Sequence, residues 1–236
     1  MVSVDSPHLH VASGAVLTIT LDRPARLNAI DVELAEALRT LLEDCSDDPT
    51  EPILIEGAGD GSLAGVDTDL VSAPEFESTH ADFQATIHRV FDLLRRYPRP
   101  IAVAGERAVV GGGLVFALNA DFAVVSEDTT ISFPEIKLGL TSTPTLHILA
   151  DQIGDRLAKQ LVMTGSAISA ARAREVGLVN DVVAQGEAAT TARAYLEQTL
   201  EHDPDIVAEI KRSLDHRHPE TFWGDPPDDD AREPAL

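Results

Sequence analysis

Predicted strands and predicted helices alternate along this chain, and that order limits the folds available to it. Segments rich in β-branched residues predict strands at 15–22, 52–57 and 100–105, and two short strands joined by a polar turn within 121–135. Apolar residues at helical spacing predict helices at 31–48, 80–97, 155–165, 169–177, 190–204 and 205–216. This alternation is typical of an α/β layered domain, here with helices gathered toward the C-terminal end.

The helix predicted at 31–48 carries the clearest local signals. Asp31 stands where an N-cap residue is expected, because its side chain can accept a hydrogen bond from the first turn. An apolar face is predicted from leucines at positions 34, 38, 41 and 42. These residues should pack against the sheet.

Length and composition indicate one main domain with an extension. The chain has 236 residues and is 44% hydrophobic, which is enough apolar material for a sizeable core. We predict a core domain at residues 1–190, a C-terminal helical region at 191–218 and an acidic tail at 219–236. The tail is rich in Asp and Pro and is predicted to be disordered.

The charge balance excludes several classes of partner. With 18 Lys and Arg against 40 Asp and Glu, the formal net charge is −22 at pH 7. Such a surface repels nucleic acids and anionic membranes, so we expect neither as a partner. Cys45 is the single cysteine, and neither a signal peptide nor a membrane span is recognisable. The expected location is therefore the cytoplasm.

The acidic composition also predicts a dependence on salt, since it resembles that of proteins from salt-loving archaea. At low ionic strength the surface carboxylates repel one another, whereas in molar salt the screening length falls to about 3 Å. The melting temperature should therefore rise steeply from millimolar to molar salt. Thermal unfolding followed by circular dichroism would measure this, and a flat response would count against a halophilic origin.

Two glycine-rich segments each follow a predicted strand. Three consecutive glycines, Gly111 to Gly113, stand between the strand at 100–105 and a predicted helix, whose first N–H groups have no intrahelical acceptor. The second segment, GAGDGSLAGVDT at 57–68, lacks the phosphate-loop lysine and the dinucleotide-binding spacing, so a nucleotide site is not indicated. Close packing of a helix is the alternative explanation for such glycines.

A third segment, ISFPEIKLGL, places a carboxyl group in apolar surroundings. Glu135 follows Pro134 there, and burial would raise its pKa toward neutrality, where a carboxyl group can act as acid and base. The alternative is a glutamate placed at a helix N-terminus, where the helix dipole favours it.

Taken together these segments resemble the enoyl-CoA hydratase/isomerase (crotonase) family. The resemblance begins at LTITLDRPARLNAIDVEL and continues through GAGDGSLAGVD, RPIAVAGERAVVGGGLVFALNADFAVVSEDTTISFPEIKLG and MTGSAISAARAREVGLVNDVV. It implies an α/β crotonase-like (ClpP/crotonase) spiral of ββα units, with a C-terminal helical region that is shortened here. It also implies an acyl-CoA thioester as substrate, with no cofactor and no metal.

The resemblance implies specific roles. The backbone N–H groups of Val66 and Gly112 would form an oxyanion hole for the enolate oxygen of the thioester, and Glu135 would be the acid/base. Lys211 resembles a lysine that meets the CoA phosphates, although an ion pair is an equally good explanation for it. The full set of implied substrate-binding positions is Arg26, Leu27, Ala29, Ala64, Asp67, Thr68, Gly111, Val115, Pro134 and Lys211.

Two departures from the family pattern bear on the reaction. Hydratases of the family use a first glutamate where this chain has Val115, and keeping only the second carboxylate is the pattern of double-bond isomerases. The Pro- and Gly-rich loop of the family is replaced by LTSTPTLH at 140–147, which ends at His147. Isomerisation is therefore the favoured expectation. Hydration, hydrolysis, decarboxylation and acyl-CoA binding without catalysis remain alternatives, and the family's trimers and hexamers predict a homo-oligomer.

Overall fold

Two β-sheets and the helices around them make up the fold. We describe a computed structural model that covers residues 6–71, 76–141 and 143–214. Its strands are β1 (Leu9–Ala12), β2 (Leu17–Leu21), β3 (Ile53–Gly57), β4 (Ile101–Gly105), β5 (Ala108–Val110), β6 (Phe122–Ser126), β7 (Thr130–Ser132), β8 (Ala167–Ser169) and β9 (Asp181–Val183). The α-helices are α1 (Val32–Asp47), α2 (Thr68–Val71), α3 (Phe76–Arg96), α4 (Gly112–Asn119), α5 (Thr143–Ile153), α6 (Asp155–Thr164), α7 (Ala170–Glu175), α8 (Ala188–Thr199) and α9 (Pro204–Leu214).

The larger sheet has six strands in the order β1-β2-β3-β4-β6-β9. All its pairs are parallel except β1 with β2. Successive strand residues point to opposite faces, so Ile53 and Ile55 join the core that contains α1 and α3. Leu54 instead joins a second cluster, with Ala188, Ala192 and other residues, beneath α8. The predicted layered α/β fold is confirmed.

The predicted helix at 31–48 is confirmed as α1. The Asp31 carboxylate accepts a hydrogen bond from the Leu34 amide at 2.9 Å, which makes Asp31 the N-cap. The four predicted leucines of its apolar face are all buried: Leu34, Leu38, Leu41 and Leu42. Helix α1 packs against α3, whose buried face includes Phe83, Ile87 and Phe91.

The two strands predicted within 121–135 exist but belong to different sheets. Strand β6 lies between β4 and β9 in the larger sheet, whereas β7 lies between β5 and β8 in a three-stranded sheet. At the turn between them, the Ser126 hydroxyl bonds to the Thr129 hydroxyl at 2.9 Å, and both residues are buried. This turn directs β7 away from β6, so that it pairs in parallel with β5 instead.

The segment predicted as an altered loop, 140–147, differs in the structure. From Thr143 onward it forms the start of α5, so His147 is a helical residue. Strands β1, β5, β8 and β9 were not predicted either, and each has only three or four residues. Such short segments carry little periodicity, so long-range pairing determines them.

The C-terminal part of the described chain consists of α8 and α9. The predicted boundary between residues 190 and 191 falls inside α8, which packs on the larger sheet. The predicted acidic tail, 219–236, lies entirely outside the described residues. Within the parts that the structure describes, no helix has the length and apolar composition needed to cross a membrane.

Candidate active site

The parallel pairing of β5 with β7 brings the glycine triplet next to Glu135. The two strands end in register, Val110 opposite Ser132, and the Gly111 amide donates to the Ser132 carbonyl at 3.0 Å. A Cβ atom on Gly111 would lie 2.5 Å from Glu135 Oε1, and Gly111 has a φ of +55°. Only glycine fits both the backbone angle and the adjacent carboxyl group at this position.

The second glycine segment reaches the same place along the other side of β5. Leu63 forms a parallel bridge with Val109, and continuing this register by three residues places Val66 beside Gly112. A Cβ atom on Gly65, whose φ is +75°, would collide with the Gly112 amide nitrogen. The glycines therefore serve close packing of the two segments, and the same packing brings the Val66 and Gly112 amides together.

The backbone N–H groups of Val66 and Gly112 are placed to act together. The Ile30 amide donates to the Gly65 carbonyl and the Asp67 amide to the Ile30 carbonyl, so the Val66 amide faces away from Ile30. Gly112 is the first residue of α4 and its N–H has no intrahelical acceptor. Within the described chain neither N–H has a hydrogen-bond acceptor. The oxyanion hole stays a prediction, and this geometry is compatible with it.

Both amides and Glu135 belong to one cavity of about 90 Å³. Its wall combines side chains of α3, α4, the start of α5 and the segment after β7. The lining residues are Val66, Phe83, Gln84, Ile87, His88, Phe91, Gly112, Val115, Phe133, Glu135, Leu140, Thr141 and Thr145. Val115 is buried, at 3% exposure, so the position where the resemblance implies a first glutamate in hydratases holds a buried apolar side chain.

Glu135 is the carboxyl group among these lining residues. Its Oε2 atom is buried and has no hydrogen-bond partner among the described residues. Burial disfavours the charged form and raises the pKa of Glu135 to about 7. A carboxyl group with this pKa can both accept and return a proton near neutral pH.

The same burial predicts that Glu135 destabilises the fold when it is ionised. The pKa of Glu135 is about 7 in the folded protein against an ordinary 4.5. The free energy of unfolding should therefore fall as the pH rises from 4.5 through 7. Replacing Glu135 by Gln should raise the unfolding free energy at pH 8 by about 1–2 kcal/mol, less than the full pKa difference implies because the amide is also buried without a partner. The gain should shrink toward zero below pH 4.5. Thermal unfolding of both proteins across this range measures it, and a gain independent of pH would contradict it.

A buried ionic network holds the segment that carries Val66. The Arg23 guanidinium contacts Asp67 at 3.0 Å and Asp31 at 3.2 Å, and it donates to the Ala29 carbonyl at 2.6 Å. The Asp67 side chain is only 9% exposed. Its carboxylate faces Arg23, and a contact between Asp67 and CoA stays a prediction. Asp67 fixes the backbone next to Val66.

The two segments that carry most of the other predicted CoA-binding positions lie side by side. The Ala64 amide donates to the Leu27 carbonyl at 3.1 Å, which joins the two predicted segments directly. Leu27 and Thr68 are exposed, and Arg26 is 54% exposed and pairs with Asp69 at 2.6 Å. Two further positions differ in burial: Ala29 is buried, and Pro134, half-buried, directly precedes Glu135.

Lys211 forms a buried ion pair in the structure. Its ammonium group contacts Asp121 at 2.7 Å and the Arg99 carbonyl at 3.2 Å, and the residue is 8% exposed. A lysine buried in this way neutralises Asp121 and anchors α9, and it presents no charge to a phosphate in solution. The ion-pair explanation for Lys211 is correct, although the pair is buried rather than on the surface.

Helices α3 and α5 contribute side chains to the cavity that the sequence did not predict. Gln84 and His88 of α3 and Thr145 of α5 line it. A polar stripe at 84 and 88 can be read beside the apolar stripe at 83, 87 and 91, but its spacing does not reveal which part of the protein it faces.

Comparisons with known proteins agree with this architecture. The profile of the family described as Enoyl-CoA hydratase/isomerase matches residues 12–221. A carnitinyl-CoA dehydratase of Salmonella typhi is 34% identical over 212 residues, which cover 87% of this chain and 79% of the relative.

Solved structures give the same result. An enoyl-CoA hydratase from Polaromonas sp. JS666 superposes with a TM-score of 0.82 at 29% identity, covering 89% of this chain and 83% of the other. An enoyl-CoA hydratase from Bacillus anthracis has a TM-score of 0.81 at 25% identity, covering 88% and 82%. The predicted crotonase-like fold is confirmed, and this chain belongs to the enoyl-CoA hydratase/isomerase family.

Proposed function

We propose that this protein shifts the double bond of an enoyl-CoA, with Glu135 as the single acid/base. The observation that carries the proposal is that Glu135, with a pKa of about 7, is the carboxyl group among the described residues that line the cavity, while Val115 stands where the family resemblance implies a first glutamate in hydratases. Among the lining residues that the structure describes, there is no second carboxylate that could hold an attacking water. Proton transfer between two carbons of one substrate needs only one such group.

The proposed reaction balances without a cofactor or a metal. The Glu135 carboxylate removes a proton from carbon 2 of a 3-enoyl thioester, and the electron pair moves toward the thioester oxygen. The N–H groups of Val66 and Gly112 would stabilise that oxygen as its negative charge develops. Glu135 then returns the proton to carbon 4, which leaves the double bond between carbons 2 and 3.

Hydration or dehydration is the second candidate. The solved relatives described above are named hydratases, and the Salmonella relative is named a dehydratase. Water addition would need a group besides Glu135 to hold the water, and Gln84 and His88 are polar side chains in the same cavity. This candidate differs from isomerisation in that it consumes or releases water. Binding of acyl-CoA without turnover is the remaining alternative.

Assay of the purified protein in molar salt distinguishes these functions. The protein is incubated separately with a 3-enoyl-CoA and with a 2-enoyl-CoA of equal chain length. The products are separated by chromatography, and their masses are measured by mass spectrometry. Isomerisation leaves the mass unchanged, whereas hydration adds one water. We expect conversion of the 3-enoyl-CoA at the higher rate. Faster hydration of the 2-enoyl-CoA would favour the second candidate, and no turnover of either would favour binding alone.

We also propose that the protein acts in the cytoplasm as a homotrimer, or as a hexamer of two trimers. Helix α9 exposes an apolar face, with Ile206 at 54%, Ile210 at 56% and Leu214 at 71% exposure. Apolar side chains aligned on one helix face favour contact with another subunit. Light scattering in molar salt should give three or six times the chain mass of 25.2 kDa. A stable monomer would contradict this proposal.

A further inference from the structure

Helix α3 presents two different stripes to the catalytic cavity. One stripe is apolar and buried, consisting of Phe83, Ile87 and Phe91. Beside it lie Gln84 and His88, which are half-buried and also line the cavity. Because these two residues are four positions apart, their side chains project from successive turns on one face of the helix.

Polar side chains reach the cavity from a second direction as well. Thr145, in the first turn of α5, is completely buried and lines the cavity, as does Thr141 just before that helix. The cavity is therefore only partly apolar. Its hydrocarbon surface comes from α3, from Val115 and from the segment after β7.

The proposed isomerisation does not account for this polar wall. Proton transfer between carbons 2 and 4 requires Glu135 and the two amides, and it gives no role to Gln84 or His88. No described residue donates a hydrogen bond to the Gln84 amide or accepts one from it. A purely hydrocarbon acyl chain lying against such an amide would displace water from it and return no hydrogen bond, which is unfavourable.

The size of the cavity indicates how much of an acyl group its described walls surround. An apolar cavity of about 150 Å³ accommodates benzene, with six non-hydrogen atoms. In proportion, the cavity of about 90 Å³ surrounds about four. A short acyl group therefore brings its far end within the wall that Gln84 and His88 form.

The charge of the acyl group is limited by the same surroundings. A carboxylate at the far end of the acyl group would share the cavity with the carboxyl group of Glu135. Like charges close together in a partly buried site repel strongly. A hydroxyl avoids this repulsion, and it can both donate and accept hydrogen bonds.

We propose that this subsite selects a short acyl group whose far end carries a hydroxyl, hydrogen-bonded by Gln84 and His88. The proposal rests on the proposed binding of a CoA thioester with its carbonyl oxygen at Val66 and Gly112. It adds the chemical class of the acyl group. Gln84 and His88 are thereby specificity-determining residues, separate from proton transfer by Glu135.

Two saturated thioesters of equal size test the proposal. In 4-hydroxybutyryl-CoA a hydroxyl stands where pentanoyl-CoA has a methyl group, and neither has a double bond to shift. Calorimetric titration in molar salt should give a dissociation constant about ten-fold lower for the hydroxylated thioester, the order of magnitude of one net hydrogen bond. Equal affinities, or tighter binding of pentanoyl-CoA, would overturn the proposal.

Variants of α3 test whether Gln84 and His88 cause the preference for the hydroxylated thioester. In the double variant Gln84→Met with His88→Leu, both side chains become apolar at similar size, and the two affinities should agree within about two-fold. Asp82→Asn, on an exposed position of the same helix, is the matched control and should keep the preference. A preference that survives the double variant would overturn the assignment of these residues. If neither thioester binds the wild-type protein, the proposed function itself fails, whereas equal binding overturns the subsite alone.

Discussion

Replacing Glu135 by Gln should lower the rate of isomerisation at pH 8 by about 10²- to 10⁴-fold, the usual contribution of a positioned acid/base. The amide keeps the shape of the side chain but cannot accept the proton from carbon 2. Steady-state kinetics with a 3-enoyl-CoA would measure the loss. Binding of CoA thioesters should survive, because their predicted contacts come largely from backbone groups elsewhere.

The pH profile and a matched variant make this test specific. In the wild-type protein kcat/KM should rise with pH through about 7, because only the ionised Glu135 can act as a base. His88 lines the same cavity, so the profile should also be measured in His88→Leu, where the rise attributed to Glu135 should remain. Glu127→Gln, at an exposed position in the turn after β6, should leave the rate unchanged. Equal rates for the wild-type and Glu135→Gln proteins would refute the assigned base.

The second large effect is expected at the predicted oxyanion hole. Gly112→Pro removes the N–H group and places a ring carbon where the thioester oxygen would lie. Loss of one such donor typically lowers turnover by about 10²- to 10³-fold. Proline is tolerated at the first position of a helix, which Gly112 occupies in α4, so the helix itself should form.

Gly112→Ala is the control that keeps the donor. Its Cβ atom would lie 3.2 Å from Gly65 Cα, which requires a shift of only a few tenths of an ångström. We expect alanine to retain turnover within about ten-fold of the wild-type protein, while proline does not. Thermal unfolding of both variants shows whether the fold is intact. Similar activity of the folded proline variant and the wild-type protein would exclude a role for this amide.

Local chemistry in the sequence was sufficient for several elements. Helix α1 follows from the Asp31 cap and four leucines, since both signals lie within one segment and the helical period makes them visible. The same holds for α6, which ends at Thr164 and is followed by Gly165 with a φ of +57°, as that glycine predicts. The family resemblance likewise rests on contiguous motifs, so it predicts roles for Glu135, Val66 and Gly112 without reference to their contacts.

Tertiary structure alone decided how the parts of the site meet. Residues 121–135 contain two strands, but only packing assigns β6 to one sheet and β7 to the other, where β7 brings Glu135 to Gly111. Lys211 resembles a phosphate contact in the sequence, yet it is buried against Asp121, 90 residues away.

The polar stripe of α3 shows the physical reason for this division. Gln84 and His88 lie on one face of α3 because they are four residues apart in a helix. This arrangement depends only on local hydrogen bonds. Whether the face meets solvent, core or cavity depends on how α3 packs beside α4 and α5. The sequence by itself therefore determined the local elements and the candidate acid/base, whereas long-range packing decided which side chains surround the substrate.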